Sequence, residues 1–219
     1  MATKRRTTAQ AASKTASKAG ARRKRADTGG PQAKAGRPRP GAGRPPGEPR
    51  GQALIDRVVR VDHAGEYGAK RIYEGQLAVL GQSATRPVIE HMAEQEARHL
   101  EAFEKLIAAR GARPSILHPV WHVAGFALGA GTALLGERAA MACTVAVEEV
   151  IDEHYARQAE ALRESEPELV AMIEDFQAEE VEHRDIGLAH EAEQAPAYRA
   201  LSAVIRRGSR AAIWLAERF

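Results

Sequence analysis

Cysteine is almost missing from this chain: Cys143 is the only one in 219 residues. One thiol cannot close an internal disulfide or build a four-cysteine metal site, and its isolation suits a reducing compartment. Aromatic residues make up only 5%, so a core must be built mainly from aliphatic side chains and alanine. Val, Ile and Thr nowhere form the alternating run of a half-buried strand, which excludes a sheet-based fold. An N-terminal apolar stretch of the kind a secretory signal requires is also absent.

The first 50 residues lack more still, having no Leu, Ile, Val or aromatic side chain. They carry 14 Lys/Arg against Asp27 and Glu48, a net of +12, and are otherwise rich in Ala, Gly and Pro. Such a segment has too little to bury to offset its ordering entropy, and a disordered basic tail over residues 1–50 is expected. Three purposes fit it: a solvated tail weakly drawn to anionic surfaces, a transit peptide, or a nucleic-acid arm. Transit peptides usually need an apolar helix face, which is missing, and nucleic acid is not the expected partner. Residues 51–219 then hold 18 basic and 27 acidic residues, a net of −9, and are expected to form one domain.

From residue 52 onward apolar residues recur at three- and four-residue steps. Breaks at Gly81 to Pro87, Gly111 to Pro119, Gly136, Ser165 to Pro167 and Gln194 to Pro196 divide this part into about six helices. Four of them carry an apolar stripe with acids inside it. The first runs Ile55, Val59, Asp62, Glu66, Tyr73, Leu77, Leu80, and the second Ile89, Met92, Glu96, His99, Phe103, Leu106. The later pair runs Thr144, Glu148, Ile151, Tyr155, Ala159, Leu162, then Leu169, Ile173, Phe176, Glu180, His183, Gly187.

A lone stripe Glu followed by Glu-x-x-His therefore occurs twice, at Glu66 with Glu96 and His99, and at Glu148 with Glu180 and His183. The i, i+3 spacing puts each Glu and His on one helix face. Four carboxylates in an apolar core repel one another unless neutralised, and two divalent cations neutralise four carboxylates. Oxygen and imidazole ligands without thiolate suit iron or manganese, and the set matches di-metal carboxylate bundles; iron is the expected metal. Glu149 aligns with Ala142, Asp152 and Glu160 on a mostly polar face, leaving Glu148 as the ligand. His154 and Glu179 are expected as partners behind the ligands. His63, His91, His118, His122 and His190 read as surface or capping residues.

The expected architecture is all-α, a ferritin-like four-helix bundle with a long apolar crossover between its halves and an added C-terminal amphipathic helix. The crossover, near 111–137, holds 23 consecutive residues without formal charge. Its most apolar part, residues 123–136, is short for a bilayer span, and spanning would put the two halves of the site on opposite sides. An interfacial segment or plain core remains. The last helix presents Leu201, Ile205, Ala212, Leu215 and Phe219 on one face, with Arg206, Arg207 and Arg210 off it and Trp214 near its end. That composition suits a membrane surface or docking on the bundle.

The strings VDHAGEYGAKRIYEGQLAVL (61–80), FALGAGTALLG (126–136), MACTVAVEE (141–149) and HRDIGLAHEAEQAPAY (183–198) carry a specific likeness. From about residue 51 to the C-terminus the chain resembles the demethoxyubiquinone hydroxylases, di-iron monooxygenases of ubiquinone biosynthesis. The resemblance implies that Glu66, Glu96, His99, Glu148, Glu180 and His183 hold two iron ions. It implies a polyprenylated methoxy-methyl-benzoquinol substrate, ring hydroxylation with dioxygen, and electrons ultimately from NADH. It also implies peripheral membrane attachment and a lipid-binding accessory partner. The cytoplasmic face of a bacterial inner membrane is the expected location, with the matrix side of a mitochondrial one as the alternative. The rivals are a ferritin-like storage cage, a DNA-compacting relative and a rubrerythrin-like peroxidase, the last normally adding an iron site held by four cysteines, which one cysteine cannot make.

Overall fold

The computed structural model describes residues 49–219; apart from its last two positions, the expected basic tail lies outside them. Six α-helices account for most of the described chain, with no strand among the described residues: α1 (Gln52–Leu80), α2 (Arg86–Arg110), α3 (His118–Leu134), α4 (Glu137–Leu162), α5 (Pro167–Ala189) and α6 (Tyr198–Ala216). Proline punctuates the starts. Pro87, Pro119 and Pro167 each sit in a first turn, where the missing N–H has no helical partner to lose. Gly111, at φ 64°, ends α2 in a left-handed conformation that a side chain would resist.

The helices fall into two similar halves, in which α1 pairs with α2 and α3 lies on α1, while α4 pairs with α5 and α6 lies on α4. The crossover is thus a helix packed on the bundle. Two apolar clusters close the ends of the four-helix interior. At one end Leu54, Ile55, Val58, Val59 and Phe103 meet Leu162, Leu169 and Ile173. At the other, Leu80, Ile89 and Met92 meet Met141 and Val145. All four stripes read from the sequence face this interior, with only Leu77, Leu106, Ile151 and Phe176 partly exposed.

α3 approaches α1 almost backbone to backbone. A Cβ on Gly129 would lie 1.9 Å from the Ile72 carbonyl oxygen, and one on Gly75 would lie 2.2 Å from that of Phe126. Gly125 and Gly129 serve this crossing. Among the described residues no helix is long and apolar enough to cross a membrane.

Of the two readings of the last helix, docking on the bundle holds for much of its apolar face. Ile205 is buried and Leu201 partly so, both turned against α4, where they pack near Cys143, Ala146 and Val147. Arg206 and Arg210 pair with Glu149 and Glu153 of the same helix. Of that face Phe219 is exposed, and the other exposed large apolar residues of this helix and the crossover are Val204, Trp214, Ile116, Val120, Val123, Leu134 and Leu135.

Two neighbouring glycines test the α1–α3 crossing. Gly129→Ala must push two backbones apart and should destabilise by about 1–3 kcal/mol or more. Gly131, where an added Cβ meets nothing within 4 Å, should gain up to about 1 kcal/mol on replacement by Ala. Thermal melts of the two variants check this; equal effects would contradict the crossing.

Candidate metal centre

Between the two apolar clusters lies a polar layer. Glu66 comes from α1, Glu96 and His99 from α2, Glu148 from α4, and Glu180 and His183 from α5. Each is 3% exposed or less. Their ligand-type atoms gather into two groups, Glu66, Glu96, His99, Glu180 and Glu96, Glu148, Glu180, His183, with all such atoms of a group within 4.8 Å of one another. Glu96 and Glu180 belong to both.

Both imidazoles turn Nδ1 inward. His99 Nδ1 lies 3.2 Å from Glu180 and 3.4 Å from Glu66, while His183 Nδ1 lies 3.3 Å from both Glu96 and Glu180. Yet the inner atoms are largely unpaired. Both Glu96 oxygens, one oxygen each of Glu66, Glu148 and Glu180, and both Nδ1 atoms are buried without a hydrogen-bond partner. Buried polar atoms are normally satisfied, and this many in one place are what a bound cation would satisfy. Six donors of oxygen and imidazole type, two of them shared, fit a pair of divalent metal ions.

Outer contacts hold four of the six from behind. Tyr73 on α1 donates to Glu148 on α4 at 3.0 Å, and Tyr155 on α4 donates to Glu66 on α1. Each tyrosine stands seven residues after the Glu of its own helix and reaches the Glu of the other. The outer Nε2 of His99 meets Glu179 of α5 at 2.9 Å, and that of His183 meets Gln95 of α2 at 3.0 Å. Phe176 stacks on His99 at 4.1 Å between ring centroids.

Glu179 therefore touches a cluster member, whereas His154 bonds Gln158 at 2.8 Å and lies 3.5 Å from Asp62. Glu149 points outward to Arg206. His63, read as a surface residue, is buried beneath α3 beside His118; burial first, and His118 second, bring its pKa down to about 4. Tyr73, Tyr155 and Gln95 were not singled out as site residues, although their repetition with the motifs is visible in the chain.

The electrostatics are those of crowded acids. Burial first, then repulsion from Glu180 and from a second carboxylate, holds Glu96 and Glu148 well above the usual carboxylate range; burial also raises Glu66. Glu180 is the exception: burial pushes it up, but the imidazoles of His183 and His99 facing it outweigh this and bring it to about 2. Glu180 and Glu66 overcome the burial of His99 and raise it to about 11.

An all-α bundle with a buried carboxylate and histidine cluster compatible with a metal centre belongs to the ferritin-like class. The family model described as Ubiquinone biosynthesis protein COQ7 matches residues 53–216, and the chain belongs to that family. It is 60% identical to the 3-demethoxyubiquinol 3-hydroxylase of Rhodospirillum rubrum over 79% of this chain and 82% of the relative. It is 56% identical to the NADPH-dependent 3-demethoxyubiquinone 3-hydroxylase, mitochondrial, of Mus musculus, over 77% of this chain and 79% of the relative. The 5-demethoxyubiquinone hydroxylase, mitochondrial, of Saccharomyces cerevisiae is 41% identical, over 76% and 78%.

The pKa directions give a sign for the metal-free protein. Glu66, Glu96 and Glu148 are raised above 4.5, so their contribution to folding is full below that value and is lost as pH rises. His99 contributes fully below 6.5 and loses its contribution on the way to about 11, while Glu180 loses its own only as pH falls through about 2. In chelator, the melting temperature should fall as pH rises from about 5.5 to 8.5, and less steeply in Glu96→Gln. Equal slopes in the two proteins would contradict this.

Proposed function

We propose that this chain is a di-iron monooxygenase that hydroxylates the ring of a polyprenylated demethoxyubiquinol. The observation that carries the reading is the set of unpaired inner atoms on Glu66, Glu96, His99, Glu148, Glu180 and His183, in a chain of the family whose relatives bear hydroxylase names. These six are the proposed ligands of two irons. When bound, the irons supply the site for dioxygen and the path for two electrons. One oxygen atom goes to the ring and the other leaves as water, with a reduced nicotinamide nucleotide as ultimate donor. NADH is the donor that the family resemblance implies, while several relatives are named NADPH-dependent.

The chain's own part is to bind, orient and exclude water. A cavity of about 280 Å³ runs between α1, α3, α4 and α6, walled by Ala64, Ile72, Trp121, Leu128, Val147 and Ile213, among others. Its lining is nearly all apolar, as a prenyl chain requires. Val147 adjoins Glu148 on α4, and Gly65 adjoins Glu66 on α1, so two helices that wall the cavity also carry cluster residues on another face. The indole Nε1 of Trp121 is buried without a partner and can donate to a ring oxygen. Tyr73 and Tyr155 keep Glu148 and Glu66 oriented by holding one oxygen of each.

The same cavity lies between α3 and α6, whose exposed residues Val123, Leu134, Leu135, Val204 and Trp214 are apolar. This supports peripheral attachment to the membrane that holds the quinone pool, on the cytoplasmic side in a bacterium or the matrix side in a mitochondrion. A lipid-binding accessory protein that delivers substrate completes the proposal. A soluble storage cage has no use for such a face.

The direct assay is incorporation of label from ¹⁸O₂ into a short-tailed demethoxyquinol by the iron-loaded protein, with NADH and NADPH compared. No labelled product with either donor would refute the reading. Glu148→Ala and Glu180→Ala should lose iron and more than about 100-fold in turnover, since ligand loss exceeds the effect of a supporting residue. Glu149→Ala should keep both.

Attachment has its own test. Replacing Leu134, Leu135 and Trp214 by Asp should release the protein from liposomes, at roughly 1.5–3 kcal/mol per apolar side chain. Iron content and turnover of a short-tailed quinol in detergent should hold. A triple variant that stays on liposomes, or that loses iron, would overturn the interfacial reading.

A further inference from the structure

The two halves of the cluster are braced crosswise, and the braces are not equal. The residue before each motif glutamate supports the histidine of the opposite helix: Gln95 on α2 accepts from His183 on α5 at 3.0 Å, and Glu179 on α5 accepts from His99 on α2 at 2.9 Å. Position and geometry repeat, with both imidazoles presenting Nδ1 to the cluster and Nε2 to the brace. Chemistry does not repeat. Gln95 is a neutral carboxamide, buried at 7% exposure. Glu179 is a carboxylate with 28% of its side chain exposed and Arg98 against it at 2.9 Å, so it keeps its charge without leaving His99.

An anion behind a metal-bound imidazole makes the ring a stronger donor than a neutral acceptor does, and such outer partners change metal affinity by about 10–100-fold. Resting on the two-metal reading above, we infer that Glu179 and Gln95 make the two metal positions unequal. The position formed with Glu66 and His99 is the tighter one and fills first; the position formed with Glu148 and His183 is the weaker. Glu179 and Gln95 are positioning residues, acting through the histidines and never on substrate.

The test is anaerobic titration of the metal-free full chain with Co²⁺, followed by its visible absorption bands and by calorimetry. The wild type should take up two ions in two resolved steps. Glu179→Gln should weaken the first step by about 10–100-fold and bring the two together. Gln95→Glu should strengthen the second by a similar factor, and it removes no bond, so it carries the test should Glu179→Gln fail to fold. The double exchange should restore two unequal steps, with Glu148→Ala now abolishing the tighter one. Arg98→Ala, which spares the carboxylate, should leave two resolved steps; merged steps in that variant would assign the effect to the ion pair and overturn the inference. Two resolved steps unchanged in both single exchanges would overturn it too, while leaving the two-metal reading intact. A wild type that binds no Co²⁺ and no Fe²⁺ would instead defeat the two-metal reading itself.

Discussion

Four carboxylates and two imidazoles share one dry layer, and the rest of the bundle is arranged around the cost of putting them there. Burial alone penalises each charge by several kcal/mol, and close like charges add to that penalty. The neighbours of the cluster reduce it only in part. Tyr73 and Tyr155 satisfy one oxygen each of Glu148 and Glu66, Glu179 and Gln95 hold the outer nitrogens of the histidines, and the inner atoms stay unpaired. A structure that holds four of the six groups from outside and leaves the inside open is organised toward something positively charged at its centre. The apolar clusters on either side hold the layer rigidly and keep water away.

Much of this was legible in the sequence because helical periodicity is a local property. Glu96 and His99, or Glu180 and His183, fall on one face whatever lies opposite, and an acid in the middle of an apolar stripe must be buried if the stripe is. Glu148 was separable from Glu149 for the same reason, and Glu149 indeed faces Arg206. What periodicity does not contain is the identity of the facing helix. The crosswise reach of Tyr155 to Glu66 and of Glu179 to His99 depends on how the two halves dock, although the repetition of Tyr and of Gln/Glu at matching positions recorded it. His63 looked like a surface residue until α3 was laid over it. Leu201 and Ile205 marked an apolar face correctly, but α4 rather than a membrane occupies it.

The outer helices extend the repeat and differentiate it. α3 reaches its close contact with α1 through Gly125 and Gly129, whereas α6 lies on α4 through Ile205 and through the ion pairs of Arg206 and Arg210. Between these two helices the packing leaves an apolar cavity instead of filling it. In the proposed function a prenyl substrate would occupy it, and the exposed apolar residues of the crossover and the last helix would face a membrane.

The central claim is that the polar layer holds two irons between the two groups that share Glu96 and Glu180. Anomalous diffraction recorded on either side of the iron absorption edge, from crystals of the iron-loaded protein, tests it most directly. The account predicts two peaks inside the layer, one beside His99 Nδ1 and Glu66, the other beside His183 Nδ1 and Glu148. A single peak, or iron bound only outside the layer, would contradict it.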